Sequence, residues 1–227
     1  MEFSYDIMKK INFLGTSTKL NVGKILCLGK NYAEHAKEMM SDVPTVPIVF
    51  MKPSTAIIGG SDKIIIPKIS KEVHHEVELV VVVGQDAKNI LAKDAYNYIA
   101  GYAVGLDMTL RDVQSDAKKK GNPWTVAKGF DTSAPISEVI PKAQIKNPHD
   151  LTITCRVNGA LRQKSSTGKM IFSIDKIIEY ISSIFTLEEG DLIFTGTPEG
   201  VGQVIAGDII EAELEGYIKI SHQVIAA

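Results

Sequence analysis

Two glutamates, an aspartate and a lysine are the side chains in this sequence best suited to chemistry. Glu76 and Glu78 stand two residues apart at the head of the apolar run Val77 to Val83, directly after His74 and His75. In a strand, residues i and i+2 share a face, so the two carboxylates point the same way. Asp107 ends a second apolar run, Tyr102 to Leu106. A lone strand glutamate is ordinarily solvated, but these neighbours argue for burial, and burying an unpartnered carboxylate is costly. Like charges this close repel unless something positive lies between them. A hard divalent cation that takes oxygen ligands, Mg²⁺ first among them, fits Glu76, Glu78 and Asp107. Imidazole is a poor partner for Mg²⁺, which leaves His74 and His75 as supporting or packing residues.

His35 and Glu38 lie three apart in a segment predicted as a helix over 32–40, so they share a face. A carboxylate beside an imidazole fixes its tautomer and raises its basicity, which suits general-base activation of water. The same spacing also occurs on ordinary solvated helix faces. Lys128 sits in the apolar stretch Trp124 to Phe130, where a lysine either snorkels to solvent or pairs with an anion. Arg111, Asp112 and Gln114 follow Asp107 closely, within reach of anything bound there. The loop Thr195 to Gly202 lacks the Gly-Lys-Ser/Thr ending of a phosphate loop, which argues against nucleotide binding. Its backbone N–H groups and threonine hydroxyls can still hold a carboxylate.

These residues must be positioned by a chain of 227 residues, long enough for one large core or two small ones. A 44% hydrophobic and 23% charged composition is that of a soluble globular protein. The net charge of −2 and the lack of a basic stripe argue against nucleic acid as a partner. No apolar run approaches the ~20 residues a membrane helix needs, and residues 1–19 lack a signal-peptide layout. Cys27 and Cys155 are far apart and too few for a disulfide framework. They suit a reducing cytosol, so the expected location is cytoplasmic.

Strands are predicted at 24–29, 48–52, 64–66, 76–83, 102–107, 151–157, 192–194, 208–214 and 217–225. Helices are predicted at 32–40 with Asn31 as N-cap, near 92–99, at 109–120 and at 173–185. Thr109 to Asp112 resembles a capping box, with Asp standing in for Glu. Ile174, Ile177, Ile178 and Ile181 give the last helix its spacing, and Asn158-Gly159 marks a hairpin. Residues 1–23 form an arm or small β element, and 24–227 form one β-rich α+β domain.

Further segments run in a telling order: Gly29-Lys30-Asn31-Tyr32-Ala33-Glu34-His35, Phe50-Met51-Lys52-Pro53-Ser54, His75-Glu76-Val77-Glu78, and Asp107 to Gln114. Then come Lys118-Lys119-Lys120-Gly121-Asn122-Pro123-Trp124, Lys128, and Thr195 to Gly202. From about Lys24 to the C-terminus the chain resembles the fumarylacetoacetate hydrolase family, most closely its short acylpyruvate hydrolase and oxaloacetate decarboxylase branch. Lys30, where relatives often carry Arg, and Gly129 depart from the pattern.

The resemblance implies the mixed β-sandwich roll of that family's C-terminal domain. It implies Mg²⁺, or Mn²⁺ in its place, on Glu76, Glu78 and Asp107, with His35 and Glu38 as a dyad on a lid. Lys128 is implied as catalytic, Thr197 as holding substrate, and Arg111 and Gln114 as lying beside it. The activity so implied is C–C bond cleavage of short 2-oxo acids through a pyruvate enolate, by acylpyruvate hydrolysis or oxaloacetate decarboxylation. Two alternatives stand beside it: an isomerase or tautomerase on the same fold, and a non-catalytic β domain holding a structural cation. A homodimer larger than ~1,000 Å² in its interface is also expected, built on second-half strands. The ground for it is that strands as apolar as 79–83 and 192–194 need covering and the helices are few.

Overall fold

Short β-branched runs broken by glycine and proline favour strands over long helices, and the computed structural model, which describes residues 9–227, is built mainly of them. Six strands form one sheet in the order Ile140–Pro141, Ile99–Leu106, Val77–Val83, Leu192–Phe194, Ile25–Gly29, Ile48–Lys52. Neighbours are antiparallel except Leu192–Phe194, which runs parallel to Ile25–Gly29. A second sheet of five runs Ala160–Ser166, Thr152–Val157, Ile209–Leu214, Ile218–Ala226, Ile64–Ile66. A smaller sheet pairs Val73–His75 with Thr109–Leu110 and Gly202–Val204. This is the expected β-rich α+β roll.

Val77–Val83 is the centre of the molecule, and all seven of its residues are buried. Leu79, Val81 and Val83 face a core shared with Ile153, Cys155, Ile210 and Ala212 of the second sheet and with the helix Ile174–Ile184. Val80 and Val82 face the other way, onto Ile11, Phe13, Ile57, Ala134 and Phe194. These strands therefore need no partner subunit to cover them. The chain covers both faces itself, using the segment before residue 24 and the loops around 57 and 134.

Asn158 and Gly159 take positive φ (52° and 78°) at the tip of the hairpin that joins two second-sheet strands, as that dipeptide favours. Ile174, Ile177, Ile178 and Ile181 are buried along one face of their helix. The segment expected as a helix over 92–99 is instead a 3₁₀ helix, Ala92–Tyr98, whose Asp94 and Asn97 are weak α-formers. The arm expected over 1–23 falls partly outside the described residues. Within them, Lys10–Asn12 pairs antiparallel with Lys19–Asn21.

Two expected caps do not form. The N-cap of helix Ala33–Glu38 is Tyr32, with no side-chain hydrogen bond. The amide of Asn31 is spent on buried backbone instead, donating to Thr195 O (2.8 Å) and Phe172 O (3.1 Å) and accepting from Phe172 N (2.7 Å). Buried loop carbonyls and amides need partners more than a short helix needs a cap. Helix Arg111–Lys120 starts after Leu110, again without a side-chain cap. Thr109 Oγ1 donates to Asp107 O, and Asp112 accepts from Ser70 Oγ and Lys71 N.

Candidate active site

Backbone pairing brings the three acids together. Val77 lies opposite Leu106 and Glu78 opposite Gly105, and Asp107 N donates to Glu76 O (2.8 Å) just beyond the paired strands. Glu76 occupies the break between Val73–His75 and Val77–Val83. Gly105 permits the approach, since a Cβ there would lie 2.7 Å from the Phe194 ring and 2.9 Å from Val80. Carboxylate oxygens of Glu76, Glu78 and Asp107 lie within 4.8 Å of one another, and all three residues are buried.

Three cations surround them. Lys128 Nζ donates to Glu76 Oε2 (2.7 Å) and Asp107 Oδ2 (2.6 Å), so it pairs with anions and does not snorkel. Arg111 donates through Nη2 to Glu76 Oε1 and through Nη1 to Gln114 Oε1 (2.8 Å). Lys52, buried to 1% exposure, lies 2.8 Å from Asp107 Oδ1 and donates to the carbonyls of Met108, Lys128 and Ser133. Lys52 thus ties down both Asp107 and the backbone beneath Lys128. Burial pulls the Lys128 ammonium down, but Asp107 and Glu76 raise its pKa above the ordinary lysine value. Burial likewise opposes ionisation of Glu76, yet Lys128 and Arg111 hold it well below the usual carboxylate range.

Glu78 is different. It pairs with no cation among the described residues; it accepts a hydrogen bond from Gly196 N (2.7 Å). Burial, then Asp107 and Glu76, push its carboxyl well above the usual range. A buried oxygen cluster with one carboxylate lacking a positive neighbour has the chemistry of a divalent-cation site.

His35 Nδ1 lies 3.1 Å from Glu38 Oε2, and Glu38 Oε1 accepts from Gly200 N (3.0 Å). The carboxylate accepts a hydrogen bond from Nδ1–H, and in that tautomer of the neutral ring Nε2 carries the lone pair. The glycine-rich loop therefore does hold carboxylates, but they are the protein's own: Glu78 at Gly196 and Glu38 at Gly200. Gly196 cannot be replaced freely. Its φ is +95°, and a Cβ would meet Asn31 Cβ at 2.6 Å.

Gln163, from the second sheet, was not legible as a site residue. Its Oε1 accepts from Val77 N (3.0 Å), between the two glutamates, which fixes the orientation of the amide. Nε2 then donates to Thr197 Oγ1 (2.8 Å) and Pro198 O (2.9 Å). Thr197 must therefore accept from Gln163, and its own hydrogen is free to point elsewhere. His75 Nδ1, 2.9 Å from the same Oε1, must carry a proton. Burial lowers the pKa of His75. His74 donates through Nε2 to Glu72 (2.9 Å), while its Nδ1 accepts from Arg111 Nε at 3.4 Å. Both histidines support neighbours, as their chemistry predicts.

His35, Glu76, Glu78, Arg111, Gln114, Lys128 and Thr197 line one pocket with Lys30, Lys118, Phe50 and Trp124. Asp107 lies immediately behind it through Lys128, and Glu38 behind His35. The pocket is narrow, with about 40 Å³ of free space inside it.

Over residues 24–225 the sequence matches the family described as Fumarylacetoacetate (FAA) hydrolase C-terminal. An uncharacterised protein of Pyrococcus abyssi is 54% identical over 203 residues, 89% of this chain and 90% of its own. The mitochondrial oxaloacetate tautomerase FAHD1 of Rattus norvegicus is 50% identical over 200 residues, 88% of this chain and 90% of its own. The crystal structure of fumarylpyruvate hydrolase from Pseudomonas aeruginosa, in complex with Mn²⁺ and pyruvate, superposes with a TM-score of 0.95. It is 35% identical and covers 99% of both chains.

Proposed function

The chain belongs to the fumarylacetoacetate hydrolase family, a family of enzymes, and from that premise we propose that it cleaves the C3–C4 bond of short 2-oxo acids. The reactions are acylpyruvate hydrolysis and oxaloacetate decarboxylation, both dependent on a divalent cation. One observation carries the reading: the His35–Glu38 pair opens on the same small pocket as the cation-deficient Glu78. Glu76, Glu78 and Asp107 would hold Mg²⁺, or Mn²⁺ in its stead, which when bound neutralises charge developing on the substrate's keto oxygen. Lys128, kept protonated by Asp107 and Glu76, adds a fixed positive charge and a hydrogen-bond donor there. Thr197 directs its free hydroxyl hydrogen at a carboxylate oxygen, and Arg111 and Gln114 border the substrate. His35 takes a proton from the water that attacks the acyl carbon, and the departing pyruvate enolate is then protonated at C3. With oxaloacetate, C4 leaves as CO₂ without attack by water, and C3 takes up a proton from solvent.

The second reading is tautomerisation, favoured by the 50% identity to an oxaloacetate tautomerase. His35 would then move the C3 proton and no carbon–carbon bond would break. A purely structural cation site has no use for the His35–Glu38 pair or for a buried Lys128.

The deciding experiment offers oxaloacetate, acetylpyruvate and fumarylpyruvate with Mg²⁺ and with EDTA, and follows both products and deuterium exchange at C3. We expect cleavage that EDTA abolishes. His35→Ala should cost ~10²-fold in acylpyruvate hydrolysis and less in decarboxylation. Exchange without cleavage would move the assignment to tautomerase, and inertness toward all three with Mg²⁺ would overturn both readings.

The same reading includes a cytoplasmic homodimer. Cys27 and Cys155 are free and buried, as a reducing compartment suits. Leu161, Ile205, Ile209 and Tyr217 are exposed on the second-half strands and turns, apolar surface that a second copy would cover. Sedimentation as a fully active 24.7 kDa species would refute the dimer.

A further inference from the structure

We propose that Lys30 and Lys118 form an anion subsite at the outer end of the pocket that takes the distal carboxylate of a 2-oxo diacid. Arg111, Gln114 and Lys118 fall at i, i+3 and i+7 of helix Arg111–Lys120, on one stripe, and all three line the pocket. Arg111 and Gln114 are buried at its inner end, whereas Lys118 is exposed. Lys118 lies about 6 Å farther along the helix axis than Gln114. A ligand whose 2-oxo acid end sits by the acids thus has its far end beside Lys118.

Lys30 lines the same pocket from a separate element, directly after the strand Ile25–Gly29. Its φ of 59° is left-handed, a conformation unfavourable to a non-glycine residue. Strain of this kind persists at ligand sites where the surrounding structure over-determines it.

The decisive contrast is in charge pairing. Lys128 and Arg111 are neutralised by Glu76 and Asp107. Neither Lys30 nor Lys118 has a carboxylate partner among the described residues. The ammonium of Lys118 rests 4.9 Å over the Trp124 ring. Partial burial, then Arg111, Lys30 and Lys128, lower its pKa and outweigh the opposing pull of Glu76. Farther along the same helix, Lys120 is paired with Asp116. A second carboxylate on the ligand supplies what the mouth of the pocket lacks, and a monoacid of equal length does not.

This inference rests on the 2-oxo acid reading, and binding can separate the two. Calorimetry with saturating Mg²⁺ would compare 2-oxoglutarate with 2-oxopentanoate, which share a chain length and differ in the terminal carboxylate. The wild-type protein should bind the diacid about tenfold more tightly. Lys118→Met and Lys30→Met should each remove most of that preference while leaving the melting temperature close to the wild type. Lys119→Met removes the same charge about 100° around the helix and should keep the preference. Equal binding of the two acids by the wild type, or an equal loss in Lys119→Met, would overturn the subsite alone. Binding of neither acid would sink the 2-oxo acid reading and the subsite with it.

Discussion

Gln163 decides which way the hydroxyl of Thr197 can donate, because Val77 N pins its oxygen and leaves only its NH₂ for the threonine. Gln163→Glu keeps the acceptor for Val77 but replaces that NH₂ with an oxygen, so Thr197 would turn its hydrogen away from the pocket. We expect KM for the 2-oxo acid to rise about tenfold with a smaller change in kcat, the loss of one charge-assisted hydrogen bond. In a Thr197→Val background the same substitution should add little, which a double-mutant cycle will read. Full additivity would show that Gln163 acts through the fold and not through Thr197. The three acids were legible in the sequence because strand periodicity alone puts Glu76 and Glu78 on one face. Gln163 and Lys52 were not. Each reads locally as a polar residue on a half-exposed strand, and only packing from another part of the chain buries it. Lys52 carried no signal beyond its place in the segment Phe50 to Ser54.

At the scale of elements, apolar runs and turn dipeptides located most strands to within a residue or two, and helix starts as closely, whereas two helix caps were misread. Capping patterns are local, but Asn31 and Asp112 are claimed by distant backbone. Asp112 joins the first turn of helix Arg111–Lys120 to the 70–72 loop, accepting from Ser70 Oγ (2.6 Å), Lys71 N (2.8 Å) and Val113 N (2.8 Å). Partial burial raises its pKa, but these donors outweigh it and hold the carboxyl below its ordinary 3.8. Because the folded value is depressed, the stabilisation is present above 3.8 and is lost as pH falls through the lowered value. Asp112→Asn should therefore cost about 1–2 kcal/mol at neutral pH, with the difference from wild type shrinking below pH 3.8. Urea unfolding at both pH values checks this, and a difference that grows in acid would reverse the argument.

Across the whole molecule, three cations face the three acids, yet none of them pairs with Glu78. Binding of Mg²⁺ at a hundred times its Kd would stabilise the fold by about 2.7 kcal/mol. For a chain of this length the melting temperature should rise by roughly 5–10 °C. Glu78→Gln should abolish most of the rise, and melting curves in Mg²⁺ and EDTA will measure it; identical curves for the wild-type protein would count against a cation at the three acids. The sheet order carries a different consequence, in the timing of synthesis. Leu192–Phe194 lies between Val77–Val83 and Ile25–Gly29, so the two halves of the six-stranded sheet have no common seam until that strand exists. A nascent chain of 190 residues thus carries two bare, apolar sheet edges, which are templates for unwanted pairing. It also lacks the Gly196 amide that Glu78 needs. The protein's most vulnerable interval is therefore on the ribosome, from the emergence of Val77–Val83 until Leu192–Phe194 joins the two halves of the sheet.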